Sequence, residues 1–251
     1  MQSLALWVQM MLLASVRLGV GLAMTPLFSA FGMPMIVRLL FVLMMAGLAV
    51  QAPHAIAPQT SLDMAYVLPA FGQELVMGLV LSMGVHSAFA AFAIAGRLID
   101  TQLGFTLGAV LDPVFKGHSA VLSGGLGSLA VVLFFVGEAH QLVLTGYFRT
   151  FELLPVGQPL DWAAWLPLAQ AAGGMFSIGF LMAAPVVVAL WLADVVVAVV
   201  ARNMPQMNLL FISMPLKVLL GLFVMVVAIH FMAPAANNAL TLPIQMLGKV
   251  I

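Results

Sequence analysis

FSIGFLMAAPVVVALWLADVVVAVV, residues 176–200, holds a single charge, Asp194, in a run long enough to cross a bilayer. A spanning helix needs about 20 mostly apolar residues. Helices and closed barrels are the only backbones that satisfy every N–H and C=O inside hydrocarbon. Barrel strands are short and alternate in polarity, and this stretch does neither. It reads as a helix apolar on all sides, which must be surrounded by lipid or protein. Further apolar runs lie at residues 4–31, 36–50, 67–95, 123–147 and 209–232. The expected fold is therefore all-α: membrane-associated helical hairpins with about five or six apolar helical segments.

Composition supports this reading. Apolar residues make up 64% of the chain and charged residues 6%, with a mean hydropathy of +1.20. Soluble domains are about a quarter charged, so this chain cannot clothe a water-facing surface. Formal net charge is zero, which gives no support to nucleic-acid binding through a phosphate-reading surface. With no cysteine, disulfide, zinc-thiolate and thiol-nucleophile chemistry are excluded. The first basic residue, Arg17, sits in the middle of the first apolar run. That run is expected to be a retained membrane segment rather than a cleaved signal.

Breakers mark the connectors. Residues 51–63 carry Pro53 and Pro58, and residues 96–122 carry Gly104, Gly108, Pro113 and Gly117. Residues 149–167 carry Pro155, Gly157, Pro159 and Pro167, and residues 201–217 carry Pro205 and Pro215. Pro26, Pro69 and Pro185 are expected to interrupt apolar runs. With no charged tail or low-complexity block, residues 1–251 read as one domain. Arg38, Arg97, Lys116, Arg202 and Lys217 fall on alternate connectors, which a six-span arrangement places in the cytoplasm with both termini outside.

Enzyme signatures are missing: the sequence has no HExxH, no Gly-x-Ser-x-Gly elbow and no Walker loop. The five histidines lack ligand spacing. Charges within apolar runs are expensive and so are functional suspects. Arg17, Glu74, Glu138 and Asp194 qualify, and pairing inside a bundle is favoured over an ion pathway. The 19 methionines fit core filling and a deformable seal equally well.

Two blocks carry a resemblance. One is Ala201-Arg-Asn-Met-Pro-Gln-Met-Asn-Leu-Leu-Phe-Ile-Ser-Met-Pro-Leu-Lys217, preceded by Ala184-Pro-Val186 and Asp194. The other is Gly96-Arg-Leu-Ile-Asp-Thr-Gln-Leu-Gly-Phe105, followed by Asp112-Pro113. Arg17 before Pro26, the 34–38 stretch, and Glu74 with Gly78 add weaker matches. Together they resemble the FliR family of flagellar export-gate proteins, related to SctT of virulence type III secretion. Leu209-Leu210 departs from the commoner Val-Phe. Gly104-Phe105 and Asp112-Pro113 lean towards the flagellar branch.

The resemblance implies a non-enzymatic subunit without cofactors, in the bacterial inner membrane at the flagellar basal body. Its N-terminal portion would be FliP-like and its C-terminal portion FliQ-like. FliP-like and FliQ-like subunits would complete the gate, and FlhB-like and FlhA-like proteins would adjoin it. Unfolded export substrates would pass through. The resemblance also implies that much of the gate stands above the membrane plane, against the six-span arrangement.

Residues 104–122 are expected to form a plug, with Gly104, Phe105, Gly108, Asp112, Pro113 and Phe115 as its key residues. Glycines permit large backbone changes, and apolar bulk excludes water in the manner of a hydrophobic constriction. Arg17, Glu74, Asp194, Arg202, Pro205, Gln206, Asn208 and Lys217 are the expected assembly residues. The competing reading is a small-molecule or ion transporter with Glu74, Asp194 and Arg202 as midplane groups.

Overall fold

The computed structural model describes residues 2–23, 25, 28, 32–51, 63–105, 121–158, 162–204 and 209–250. Seven helices account for nearly all of them: α1 (Gln2–Ala23), α2 (Met35–Ala49), α3 (Met64–Leu103), α4 (Val121–Val136), α5 (Ala139–Leu153), α6 (Trp162–Asn203) and α7 (Leu209–Val250). No strand occurs among the described residues. Four helical stretches are long and apolar enough to cross a membrane, or five if the α4–α5 pair, bent by 69° at its break, is one span. The short apolar α2 completes the set, so each of the six apolar runs in the sequence holds helix among its described residues.

Several boundaries differ from the sequence reading. Pro69 and Pro185 do not break their runs, because α3 and α6 continue through them. Pro167 and Pro215 also fall inside helices. Pro69, Pro167 and Pro215 lie in the second turn of their helices, where proline removes a single backbone bond. Transmembrane helices tolerate such losses when neighbouring groups satisfy the freed carbonyl. The break that does occur, between α4 and α5, has no proline. Glu138 adopts a left-handed conformation there (φ 56°), an uncommon state for a residue with a side chain.

The chain forms two compact units: Met1–Ala88 with Phe134–Gly173 and Leu240–Ile251, and Phe89–Leu133 with Gly174–Ala239. In the first unit, Met10, Leu13, Ala14, Leu18 and Leu22 are the buried stripe of α1, spaced three and four apart as a helix face requires. Val42 and Ala46 of α2, Met77 and Leu81 of α3, and Val143, Tyr147 and Phe151 of α5 are buried in the same unit. Phe28 and Phe41 meet edge to face at 5.8 Å. In the second unit, Phe92, Ala95 and Ile99 of α3 are buried with Leu126 and Ala130 of α4, Met182, Val186 and Leu190 of α6, and Met232 and Ala239 of α7.

Candidate functional site

Arg17 stands on the buried stripe of α1 and is 2% exposed. A charge there survives only if its donors are satisfied, and each of the three guanidinium nitrogens is. Nε donates to Glu74 Oε2 at 2.7 Å and Nη2 to Glu74 Oε1 at 2.9 Å, the forked geometry that suits arginine to a carboxylate. Nη1 donates to the carbonyl and hydroxyl oxygens of Thr150, and Nη1 and Nη2 both reach the Leu154 carbonyl. The guanidinium also lies 4.3 Å from the centroid of the Phe151 ring. Glu74, 1% exposed, accepts in addition from the Gly157 N–H at 3.1 Å.

One ion pair therefore ties α1, α3, α5 and the turn after α5. Tyr147 reinforces it by donating to the Gly21 carbonyl at 2.9 Å. Gly157 has φ +83°, and a β-carbon there would strike the Tyr66 hydroxyl, so only glycine suits the turn. At Gly78 a β-carbon would sit 2.7 Å from the Arg17 carbonyl and 2.9 Å from Val20 Cβ. The small residue lets α1 and α3 cross close enough for the pair to form.

The second unit holds two further arrangements. Asp100, 2% exposed, receives the Leu122 N–H at 3.0 Å and the Ser123 N–H at 2.9 Å, one on each carboxylate oxygen. These are two of the backbone donors that the start of α4 leaves without intrahelical partners, and the negative charge suits a helix N-terminus. Gly96 lies against the Ser123 backbone, where a β-carbon would not fit. The end of α3 and the start of α4 are thus held together on both sides of the intervening segment. On α6 and α7, Lys217 pairs with Asp194.

The structure joins four of the eight expected assembly residues in two pairs. Arg17 meets Glu74, and Asp194 meets Lys217. Arg202 is exposed at the end of α6. Gly104, with φ +81°, follows the last turn of α3, its N–H donating to the Thr101 carbonyl. Phe105 is half-buried beside it. Gly108, Asp112, Pro113, Phe115, Pro205, Gln206 and Asn208 lie outside the described residues. Among the described residues Glu138 has no cation partner, and it marks the α4–α5 break. Among the described residues, no cluster of three metal-ligating side chains occurs.

The sequence reading missed Asp100, although it stands inside the 96–105 block. It also missed Thr150 and Leu154, and gave Gly157 only as a breaker in a connector. Leu154 and Gly157 act through backbone atoms, which leave no side-chain signal.

The family model described as "Bacterial export proteins, family 1" matches residues 8–242. The chain belongs to this family. It is an export-protein family, not an enzyme family, and the resemblance to FliR proteins holds along nearly the whole chain. The chain is 29% identical to the flagellar biosynthetic protein FliR of Bacillus subtilis, covering 96% of itself and 93% of that protein. It is 26% identical to FliR of Escherichia coli, covering 98% and 94%. It is 24% identical to the Yop proteins translocation protein T of Yersinia pestis, covering 77% of each. In this member of the export family, the matched span contains the Arg17–Glu74 pair, the Asp100 junction and the Asp194–Lys217 pair.

Proposed function

We propose that this chain is a subunit of the flagellar type III protein export gate in the bacterial inner membrane, at the flagellar basal body. FliP-like and FliQ-like partners form with it the channel that unfolded flagellar substrates cross, and FlhB-like and FlhA-like proteins adjoin that channel. The observation that carries this reading is the match along residues 8–242 to an export family, with relatives named FliR that the chain spans almost completely. The flagellar branch is favoured over the virulence branch because those FliR relatives align over more of the chain than the Yersinia protein does. The transporter reading has less support. Glu74 is committed to Arg17 and Asp194 to Lys217, which leaves neither carboxylate free as a carrier.

Within this reading, Gly104, Phe105, Gly108, Asp112, Pro113 and Phe115 belong to a plug. A gate must hold back ions when idle and then pass a chain, and weakly held apolar side chains on a glycine-rich backbone suit both demands. The fixed ends provided by Asp100 and Gly96 support the idea, since a segment that moves needs anchored flanks. Deleting residues 105–115 is expected to leave the complex assembled while the inner membrane leaks ions, read as dye uptake or loss of potential in cells. A deletion that assembles, exports normally and keeps the membrane tight makes this stretch a plain connector.

A further inference from the structure

The second unit contains an apolar cavity of about 200 Å³ enclosed by α3, α4, α6 and α7. Phe92, Leu126 and Met182 form its floor and are at most 3% exposed. Its mouth lies at Leu129, Ile229 and Ala233, all exposed. We propose that this cavity is a binding site for the hydrocarbon tail of a bilayer lipid.

No residue lining it carries a side-chain nitrogen or oxygen. A buried water needs two to four polar partners, so water is a poor occupant. Left empty, the lining would forfeit its dispersion contacts on one side, and an apolar filler restores them. The size favours a chain over a single inserted ring, because about 150 Å³ already accommodates benzene. Three methionines, Met182, Met225 and Met232, line the space, and their unbranched thioethers adapt to a flexible occupant.

Access favours lipid too. Ile229 is 54% exposed and belongs to the candidate span Ser213–His230, of which only 11% is buried. If that span meets hydrocarbon, acyl chains are already present at the mouth. The absence of polar lining also means that the site selects no headgroup. This inference stands apart from the export reading, since it needs only that the second unit meets a membrane.

The test uses the full chain, with whatever subunits purify with it, in nanodiscs of phosphatidylcholine carrying a diazirine midway along one acyl chain. After irradiation, adducts are mapped by peptide mass spectrometry. The expected result is labelling at Met182, Met225 or Met232, in addition to the exposed Leu219 and Phe223 that report bulk lipid. Filling the cavity with Ala236→Leu should abolish the methionine adducts and leave the Leu219 and Phe223 adducts intact. Ala233→Leu, at the mouth, is the alternative filler if Ala236→Leu does not fold. Wild-type protein labelled on the exposed face but not on the methionines overturns the proposal. So does methionine labelling unchanged in a folded, filled variant. Methionine labelling that appears only when the other subunits are removed assigns the cavity to a partner's side chain and overturns it as well.

Discussion

Arg17→Ala removes the charge that Glu74 faces and leaves a carboxylate stranded in the first unit's core. Breaking a buried ion pair from one side costs about 3–5 kcal/mol, a large share of a typical folding free energy. The variant should show sharply reduced recovery of folded protein from membranes, and Glu74→Ala should behave alike. The double variant Arg17→Met with Glu74→Leu should recover much of the loss, because it leaves no unpaired charge. Arg17→Lys should rescue poorly, since an ammonium cannot fork onto Glu74 while also reaching Thr150 and Leu154. Thermal melting of the chain purified together with its partner subunits reads all four. A melting temperature unchanged in Arg17→Ala rules out this account. The pair also shows what a sequence reveals at this scale. Two charges inside apolar runs already suggested an internal pair, but nothing chose Glu74 over Glu138 or Asp194 as the partner of Arg17. That choice depends on the close α1–α3 crossing at Gly78, which is a tertiary fact. Because Arg17 and Glu74 have their partners inside the chain, we propose that they serve assembly by fixing the shape of the first unit, not by touching a neighbour.

Among the elements, α3 and α4 are joined by Asp100. Asp100→Asn keeps the size but offers one acceptor where the native carboxylate offers two, and turns an N–H towards another N–H. An unsatisfied buried donor costs about 1–3 kcal/mol. The expected outcome is faster amide hydrogen exchange confined to the first turn of α4, with the rest of the chain unchanged. Uniform exchange throughout would show that Asp100 anchors nothing local. The α6–α7 hairpin gives a different prediction. Arg202 is exposed at its tip, next to an apolar helix that lacks cover, so we propose that its partner lies on another subunit. Arg202→Ala should lower recovery of the complex while leaving the amount of chain inserted in membranes unchanged, and normal assembly with loss of export alone would place Arg202 in the pore instead. Element existence was legible because apolar runs leave a strong mark. Element ends were not. Proline marked the wrong interruptions, at 69 and 185, because packing overrides a single lost bond, and the real break at Glu138 followed an unmarked backbone conformation.

For the whole molecule the decisive quantity is uncovered apolar surface. In α3, 56% of the most apolar window is buried within the chain, against 17% in the Gly173–Asn203 span of α6 and 11% in the Ser213–His230 span of α7. Phe176, Phe180, Trp191, Val195, Leu219, Phe223 and Val226 are among the large side chains left open. Exposed apolar side chains in this number mark a lipid or protein interface. Composition announced that need in the sequence. The interleaving of the two units was not legible, since α3, α4, α6 and α7 each supply both and no shift in composition marks the crossing points. Lipid alone would satisfy the apolar faces but not the Asp194–Lys217 pair, whose carboxylate is 41% exposed and which hydrocarbon would solvate poorly. A neighbouring subunit with polar groups at that height satisfies both demands. We therefore expect an obligate hetero-oligomer: co-expression with FliP-like and FliQ-like subunits should raise the yield several-fold, as mass action on a bound partner requires, and give one large species on size exclusion. Expression alone should give little protein, or protein that aggregates on removal from membranes. A monodisperse monomer that stays folded in detergent without partners, or that moves a small solute alone in liposomes, would count against both the assembly and the export gate.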